Sequence, residues 1–521
     1  MEIHDRAKKT RPDFSILALV GIFLLTASFY WKFTAEDAYI TARYALNFAG
    51  GDSLVFNRGE RILAITSPLH ALIEAFLLET TGNIIASYKV LSLLLFLASL
   101  FIILRFFRDS AFPRFVSAFL ILLPPCMAVW TIGGMETPML LFTVTLMIHL
   151  IYHRSSITRA RMILACTSAG VAFVIRFDSV IFTLPLCIAA AVKAREFKTI
   201  AVSTACALIA PLAWLLFSLY YYGDIFPTSF HLKTPTFDAY WLKKNARYTA
   251  RWLTYIYWIP LMAALPVFAR GADAIRGAVI GNIKRFAGVH AGLIATLAYG
   301  LTMATKHMMF SFRFFVPFVP ALALVTGDLY RSLDGGAFRR RKAAKRFFLL
   351  FMMFGFAFEL YQAHYIYTRS LNGLAPRVEY TRTGLEDYAA GFMRVLEQST
   401  GDIKKHWASL QEPRSRRPRI KTFAEGVMPF TYPEAYFFGG LVSYRRRCHP
   451  DTRLAADYIY ILSPLHGSIE RQLDGLPGGL KLVSSRETIF EGEKQSFLVY
   501  FNPNPAPNRL PARVDGECKT R

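Results

Sequence analysis

The chain has 521 residues, 54% of them hydrophobic and only 18% charged, an apolar excess that excludes an ordinary soluble enzyme of this size. Its net charge of +24 would suit a nucleic-acid partner if it formed one patch, but the basic residues sit in short runs between apolar segments, as in cytoplasmic loops of membrane proteins. Composition therefore predicts a multi-pass α-helical protein of the cytoplasmic membrane, with no nucleic-acid partner.

The first apolar run, near Phe14 to Phe33, has about the 20 residues that a span needs and no small-residue cleavage site behind it, so it reads as a retained helix. Arg6, Lys8, Lys9 and Arg11 precede it, which places the N-terminus in the cytoplasm and the residues after the span outside. There Glu36-Asp37 opens a short helix. Ile40, Tyr44 and Phe48 recur every four positions while Glu36, Arg43 and Asn47 line another side, the pattern of an amphipathic helix lying in the interface. Gly50-Gly51 ends it, Leu54-Val55-Phe56 is extended, Asn57-Arg58-Gly59 turns, and Ser67-Pro68 starts a second helix. Leu63 to Leu78, with His70 and Glu74, is too short for a span and reads as juxtamembrane or re-entrant, so residues 34–83 form the first external loop.

Further spans are predicted near Ile84 to Leu104, Phe115 to Ile132, Pro138 to His153, Met162 to Arg176, Val180 to Val192 and Thr199 to Tyr222. Others follow near Trp252 to Ala269, Phe286 to Ala304, Phe314 to Tyr330 and Phe347 to Tyr367, about eleven spans in all. The basic loops at Arg105 to Arg114, Arg154 to Arg161, Lys193 to Lys198, Arg270 to Arg285 and Arg331 to Arg346 then all fall in the cytoplasm. One basic segment, with Lys233, Lys243, Lys244, Arg247 and Arg251, falls outside, where such charge suits a grip on phosphate. Residues 1–369 thus read as a transmembrane domain and 370–521 as a soluble extracytoplasmic α/β domain. In the latter, Leu385, Tyr388, Ala389, Phe392, Met393 and Leu396 mark an amphipathic helix. Ile420 to Phe423, Tyr458 to Leu462, Leu480 to Val483 and Phe497 to Phe501 read as strands, Arg414 to Arg419 as a solvated linker, and the proline-rich tail from Asn502 as irregular. Cys448 and Cys518 are the cysteines outside apolar runs and are predicted to pair on the oxidising side.

The sequence has no P-loop, GxGxxG, HExxH or CxxC signature. On the external face the topology gathers Glu36-Asp37, His70, Glu136, Arg176-Phe177-Asp178, Asp224, His231, Lys233, Lys306 and Arg313. A carboxylate among them can take a proton from an acceptor hydroxyl, and His231, Lys233, Lys306 and Arg313 can neutralise a departing phosphate. Plainer roles stand beside these: Asp37 as a helix N-cap, Glu36 as a solvated residue, Glu136 as a helix-start acid, His70 at headgroup level, and Arg176 paired with Asp178 or Glu136.

Glu36-Asp37-Ala38-Tyr39-Ile40, Arg43-Tyr44-Ala45, Leu54 to Arg61 and Thr66-Ser67-Pro68-Leu69 resemble the first external loop of bacterial GT-C glycosyltransferases, mycobacterial terminal arabinofuranosyltransferases among them. Gly133-Gly134-Met135-Glu136-Thr137, Arg176-Phe177-Asp178, Tyr222 to Pro227 and Phe312-Arg313-Phe314 are similar to later motifs of that family, in the same order. The resemblance implies an inverting hexosyl- or pentosyltransferase that takes a sugar from a polyprenyl-phosphate donor to an envelope glycan, lipid or protein on the outer face. Asp37 matches the family's acid, with Glu36 beside it, and Arg43, His70, Glu136, Arg176, Asp224, His231, Lys233, Lys306 and Arg313 are the substrate-binding candidates. Glu36 stands where the family has Asp, which leaves open a divalent metal on Glu36 and Asp37; no other cofactor is implied. Phe177 stands where the family has Pro, a change expected only to shift a helix end. The alternative is a lipid-linked sugar transporter or flippase, whose intramembrane charges would line a path. Polar residues gathered at one face beneath a soluble domain favour the transferase.

Overall fold

The computed structural model describes residues 14–232, 239–268, 271–303, 310–334, 393–410, 417–422, 426–438, 456–463, 479–490, 493–503 and 505. They are mostly helical. α1 (Phe14–Phe29) is followed by α2 (Glu36–Ala49) and α3 (Pro68–Thr81), then by α4 (Ile84–Leu104), α5 (Ala111–Leu122), α6 (Pro125–Ile132), α7 (Thr137–Tyr152) and α8 (Arg159–Ile175). α9 (Val180–Ala194), α10 (Phe197–Tyr222), α11 (Thr228–Leu232), α12 (Ala239–Tyr255), α13 (Trp258–Phe268), α14 (Ala272–Arg285), α15 (Ala287–Met303) and α16 (Val319–Asp334) complete the helical part. The starts at Pro68, Pro125 and Thr137-Pro138 use proline where a helix has no amide to spend.

Among the described residues, Ile84–Phe107, Phe177–Ala194 and Phe197–Tyr222 are helical stretches long and apolar enough to cross a membrane; Phe14–Phe29, Thr137–Tyr152 and Ala287–Thr302 are shorter apolar helices. The span expected over Phe115 to Ile132 is broken: α5 and α6 meet at 58°, where Pro124-Pro125 removes two amide donors from the helical ladder. The span expected over Trp252 to Ala269 is also interrupted, between α12 and α13, at Tyr257 with φ +62°. The expected span 347–367, Cys448 and Cys518, and nearly all of the proline-rich tail lie outside the described residues.

The amphipathic reading of α2 holds at Ile40 and Tyr44, which are buried, and fails at Arg43, Asn47 and Phe48. Arg43 and Asn47, placed on its wet side, are fully buried, whereas Phe48 is 44% exposed. The cause is hydrogen bonding: Asn47 donates to the carbonyls of Val55 and Phe56 (2.9 Å each), and Arg43 donates to carbonyls on two sides, so the polar edge packs as well as the apolar one.

Beyond the bundle, α17 (Met393–Ser409) and α18 (Val427–Thr431) pack with a five-stranded mixed sheet of β1 (Arg419–Lys421), β2 (Tyr436–Phe438), β3 (Tyr458–Ser463), β4 (Lys481–Phe490) and β5 (Glu493–Phe501). Its order is β2-β1-β3-β5-β4; β1 runs parallel to β2 and β3, and β5 antiparallel to β3 and β4. Arg419, expected in a solvated linker, instead begins β1 and pairs with buried Asp457. The amphipathic helix expected from Leu385 overlaps α17 only at Met393 and beyond, since residues 385–392 are outside the described set. One apolar core fills the helical bundle. A second joins Ile40, Tyr44 and residues 54–65 of the first loop to Trp214 and Tyr222 of α10, and to Leu396, Ile420, Val427 and Phe437. The first loop is thus clasped between bundle and sheet.

Candidate active site

Asp37 is held by a short chain of constraints that begins at the end of α1. Buried Lys89 of α4 donates to the carbonyls of Trp31 and Phe33, both at 2.7 Å, which fixes the turn leaving α1. The Ala35 amide then donates to the carbonyl of Gly133 at 2.9 Å, tying this turn to the loop between α6 and α7. Ala35 is the N-cap of α2 and no side chain caps the helix, so Asp37 is a first-turn residue and not the N-cap that its sequence position allowed. Gly134 sits at φ +78°, where a Cβ would lie 3.1 Å from Thr34 Cγ2 and 3.2 Å from the Ala38 Cβ; only glycine lets the two loops approach.

That glycine turn aims Glu136 into the interior, where it is 1% exposed. Arg313 grips both its oxygens at 3.0 and 3.1 Å, and Arg176 reaches Oε1 at 3.1 Å. Arg176 in turn forks onto Asp178 at 2.7 and 2.8 Å. The other end of the chain is Arg313 Nη1, 3.6 Å from Asp37 Oδ2. Charges therefore alternate along Asp178, Arg176, Glu136, Arg313 and Asp37, three carboxylates against two guanidiniums. Burial alone would raise the Glu136 pKa, but Arg313 and then Arg176 outweigh it and hold the carboxyl at about 2. Asp37 is the open end, with its side chain 56% exposed.

Arg313 is presented by backbone under strain: Ser311 and Phe312 adopt φ +49° and +54°. Trp130 pins that turn by donating from Nε1 to the Ser311 carbonyl at 2.9 Å, and its ring lies 5.4 Å from the Arg313 guanidinium carbon. Arg313 Nε is buried and, among the described residues, has no hydrogen-bond partner.

The remaining expected residues fall in other places. Glu36 accepts a short hydrogen bond from the Gly426 amide, so it joins α2 to the sheet region. Among the described residues no three His, Cys, Asp or Glu side chains gather to hold a metal ion; Glu36 and Asp37 are the acids the sequence offered for one. Arg43, expected to meet substrate, donates to the carbonyls of Phe56 (2.7 Å), Ala435 (3.1 Å), Tyr432, Pro433 and Pro429, between the rings of Phe56 and Phe437. His70 is fully buried, 3.2 Å from Glu74 without hydrogen-bond alignment, its ring 4.2 Å from that of Tyr88. Tyr88 donates to the Met135 carbonyl at 3.1 Å, so this pair forms the wall behind Glu136. Burial raises the Glu74 pKa against the opposing pull of His70. Asp224 accepts from the Phe226 amide at 3.0 Å in a local turn. The side chain of His231, and Lys233 and Lys306 entirely, lie outside the described residues. Sequence reasoning missed Lys89 and Glu74 as site supports, although a lone ionisable residue inside an apolar helix was the available signal.

By sequence, the chain matches no protein-family model and no curated protein. By structure it matches ArnT from Cupriavidus metallidurans bound to undecaprenyl phosphate, with a TM-score of 0.60, 12% identity, and coverage of 94% of this chain and 98% of that one. The same protein in its apo state gives a TM-score of 0.58 at 11% identity, over 93% and 97% of the two chains. The chain has the GT-C fold. Within this GT-C fold the likeness takes in nearly the whole length, so the bundle and the sheet region match together as one architecture.

Proposed function

We propose that the protein is an integral membrane glycosyltransferase that moves a sugar from a polyprenyl-phosphate donor to an envelope glycan, lipid or protein acceptor on the extracytoplasmic face. The observation that carries this reading is the exposed Asp37 at the end of a buried, alternating ion chain, in a fold shared with a protein solved with undecaprenyl phosphate bound. The reading includes about eleven spans, a cytoplasmic N-terminus, and a soluble domain over 370–521 on the far side.

In this reaction the acceptor oxygen forms a bond to the anomeric carbon as the bond from that carbon to the phosphate oxygen breaks. Positive charge grows at the sugar and negative charge on the leaving phosphate. Asp37 takes the acceptor proton, and the Arg313 guanidinium, 3.6 Å from it, supplies positive charge for the leaving phosphate. Glu136 holds Arg313 in place and, fixed as an anion, stops it from swinging onto Asp37. Inversion at the anomeric carbon follows from a single displacement.

The test is Asp37→Asn in detergent-purified protein with a synthetic polyprenyl-phosphate sugar. Because Ala35 occupies the N-cap, the change leaves the helix start intact and removes only a first-turn charge, about 0.3–1 kcal/mol. Transfer is expected to fall by ~10² to 10⁴ with donor binding retained. Near-normal turnover would remove Asp37 from the role of base.

A further inference from the structure

At the opposite end of the bundle from Asp37, the start of α1, the end of α4 and the start of α5 enclose a cavity of about 600 Å³. Three arginines line it, Arg105, Arg108 and Arg114, together with Ile16, Leu17, Phe101 and Leu104. The distance from the active site follows from the helices: α1 runs from this cavity to the Asp37 turn, and the continuous helix Ile84–Phe107 returns. Its 24 residues span roughly 36 Å, a little more than the hydrocarbon core of a bilayer. The cavity therefore opens at the other membrane face.

Its chemistry is amphiphilic. None of the lining residues is acidic, and the guanidinium carbon of Arg105 lies 5.8 Å from the Phe101 ring, so cation and apolar wall are contiguous. Arg114 donates to the Arg108 carbonyl at 3.4 Å, which draws two of the arginine segments together. Leu17 and Phe101 are more than half exposed, at 55% and 63%, and offer an apolar surface beside the charges. A positive-inside loop needs basic residues near a span but not three of them around one cavity with an apolar side. The chain's own N-terminal segment is a poor occupant by charge, since Arg6, Lys8, Lys9 and Arg11 outnumber Glu2, Asp5 and Asp13 and it brings no net negative charge to the cavity.

We propose that this cavity binds an anionic glycerophospholipid, the headgroup phosphate among Arg105, Arg108 and Arg114 and an acyl chain along Leu17, Phe101 and Leu104. The site is independent of the sugar-transfer reading and stands or falls without it.

Native mass spectrometry of the full-length protein in detergent, titrated with phosphatidylglycerol, phosphatidylcholine or undecaprenyl phosphate, tests the proposal. Each surface arginine is worth about fivefold, so the Arg105→Gln/Arg108→Gln double variant should bind phosphatidylglycerol on the order of 30-fold more weakly and leave phosphatidylcholine unchanged. Leu17→Trp, which keeps all charges and fills the apolar wall, should weaken phosphatidylglycerol as well, and it carries the test if the double variant fails to fold. Equal binding of the two glycerophospholipids, or a phosphatidylglycerol preference that survives both variants, would overturn the proposal. So would undecaprenyl phosphate that displaces phosphatidylglycerol in the parent protein and loses that power in the same variants.

Discussion

At the residue scale, the two buried acids near Asp37 are set in opposite senses. Glu136 is held at about 2 by Arg313 and Arg176, so its ion pairs stabilise the fold above the ordinary carboxylate value of 4.5, and that contribution is lost only as pH falls toward 2. Glu74 is shifted upward by burial, so the folded state prefers it protonated; the stability linked to that proton is present below 4.5 and is lost as pH rises through the raised value. Glu74→Gln keeps the shape and removes the ionisation. It should raise the melting temperature at neutral and alkaline pH, with the gain shrinking to nothing as the pH falls below the ordinary carboxylate range. Thermal scans of both proteins across about pH 4 to 9 read this directly, and a gain that grows toward acid would mean that Glu74 is held as an anion by His70.

At the scale of elements, the turn Gly133-Gly134-Met135-Glu136 couples α2 to the buried ion chain, and Gly134→Ala tests the coupling. An added Cβ meets left-handed backbone, costing about 1–2 kcal/mol, and presses on Thr34 just before α2 and on Ala38 in its first turn. The expected outcome is a kcat reduced by about tenfold or more with the donor KM little changed, since Asp37 moves and the phosphate grip does not. How far such elements were legible follows from their range. α4 was readable to its ends because a long apolar run bounded by Asn83 and Arg105 needs no partner to define it. The start of α3 at Ser67-Pro68 and the end of α2 at Gly50 were readable for the same local reason. The bend at Pro124-Pro125 was written in the sequence but outvoted by the apolar run around it. β2, three residues long, has too little pattern to register, and the burial of the polar edge of α2 could not be read because Arg43 answers to carbonyls nearly 400 positions away. The motif residues Glu136, Arg176 and Arg313 were each visible, but their union in one ion chain is a tertiary fact that no local spacing encodes.

At the scale of the whole molecule, Arg43 is where the sheet region meets the first loop. Its guanidinium donates to the carbonyls of Phe56 on the first loop, of Pro429 in α18 and of Tyr432, Pro433 and Ala435 after it, while Glu36, seven residues earlier, accepts from the Gly426 amide. The sheet region is thus bonded to the helix that bears Asp37 at its start and at its middle. A soluble domain whose task were only to bind acceptor would not need that contact to be buried. Arg43→Met removes the donors and leaves several carbonyls without partners, each costing about 1–3 kcal/mol, a penalty large enough to open this junction while the bundle stays folded. Hydrogen exchange should then rise across residues 426–438 and 54–57, and transfer should fall because the Glu36 to Gly426 bond goes with it. Polyprenyl-phosphate binding, if it rests on Arg313 as proposed, should persist, since the support of Arg313 from Glu136 and Trp130 is untouched. Arg43→Lys retains the charge but not the fork, so it should fall between the parent and Arg43→Met in both exchange and rate. If Arg43→Met transferred sugar normally while exchange at 426–438 rose, the sheet region would be a separate acceptor platform and the orientation of Asp37 would belong to the bundle alone.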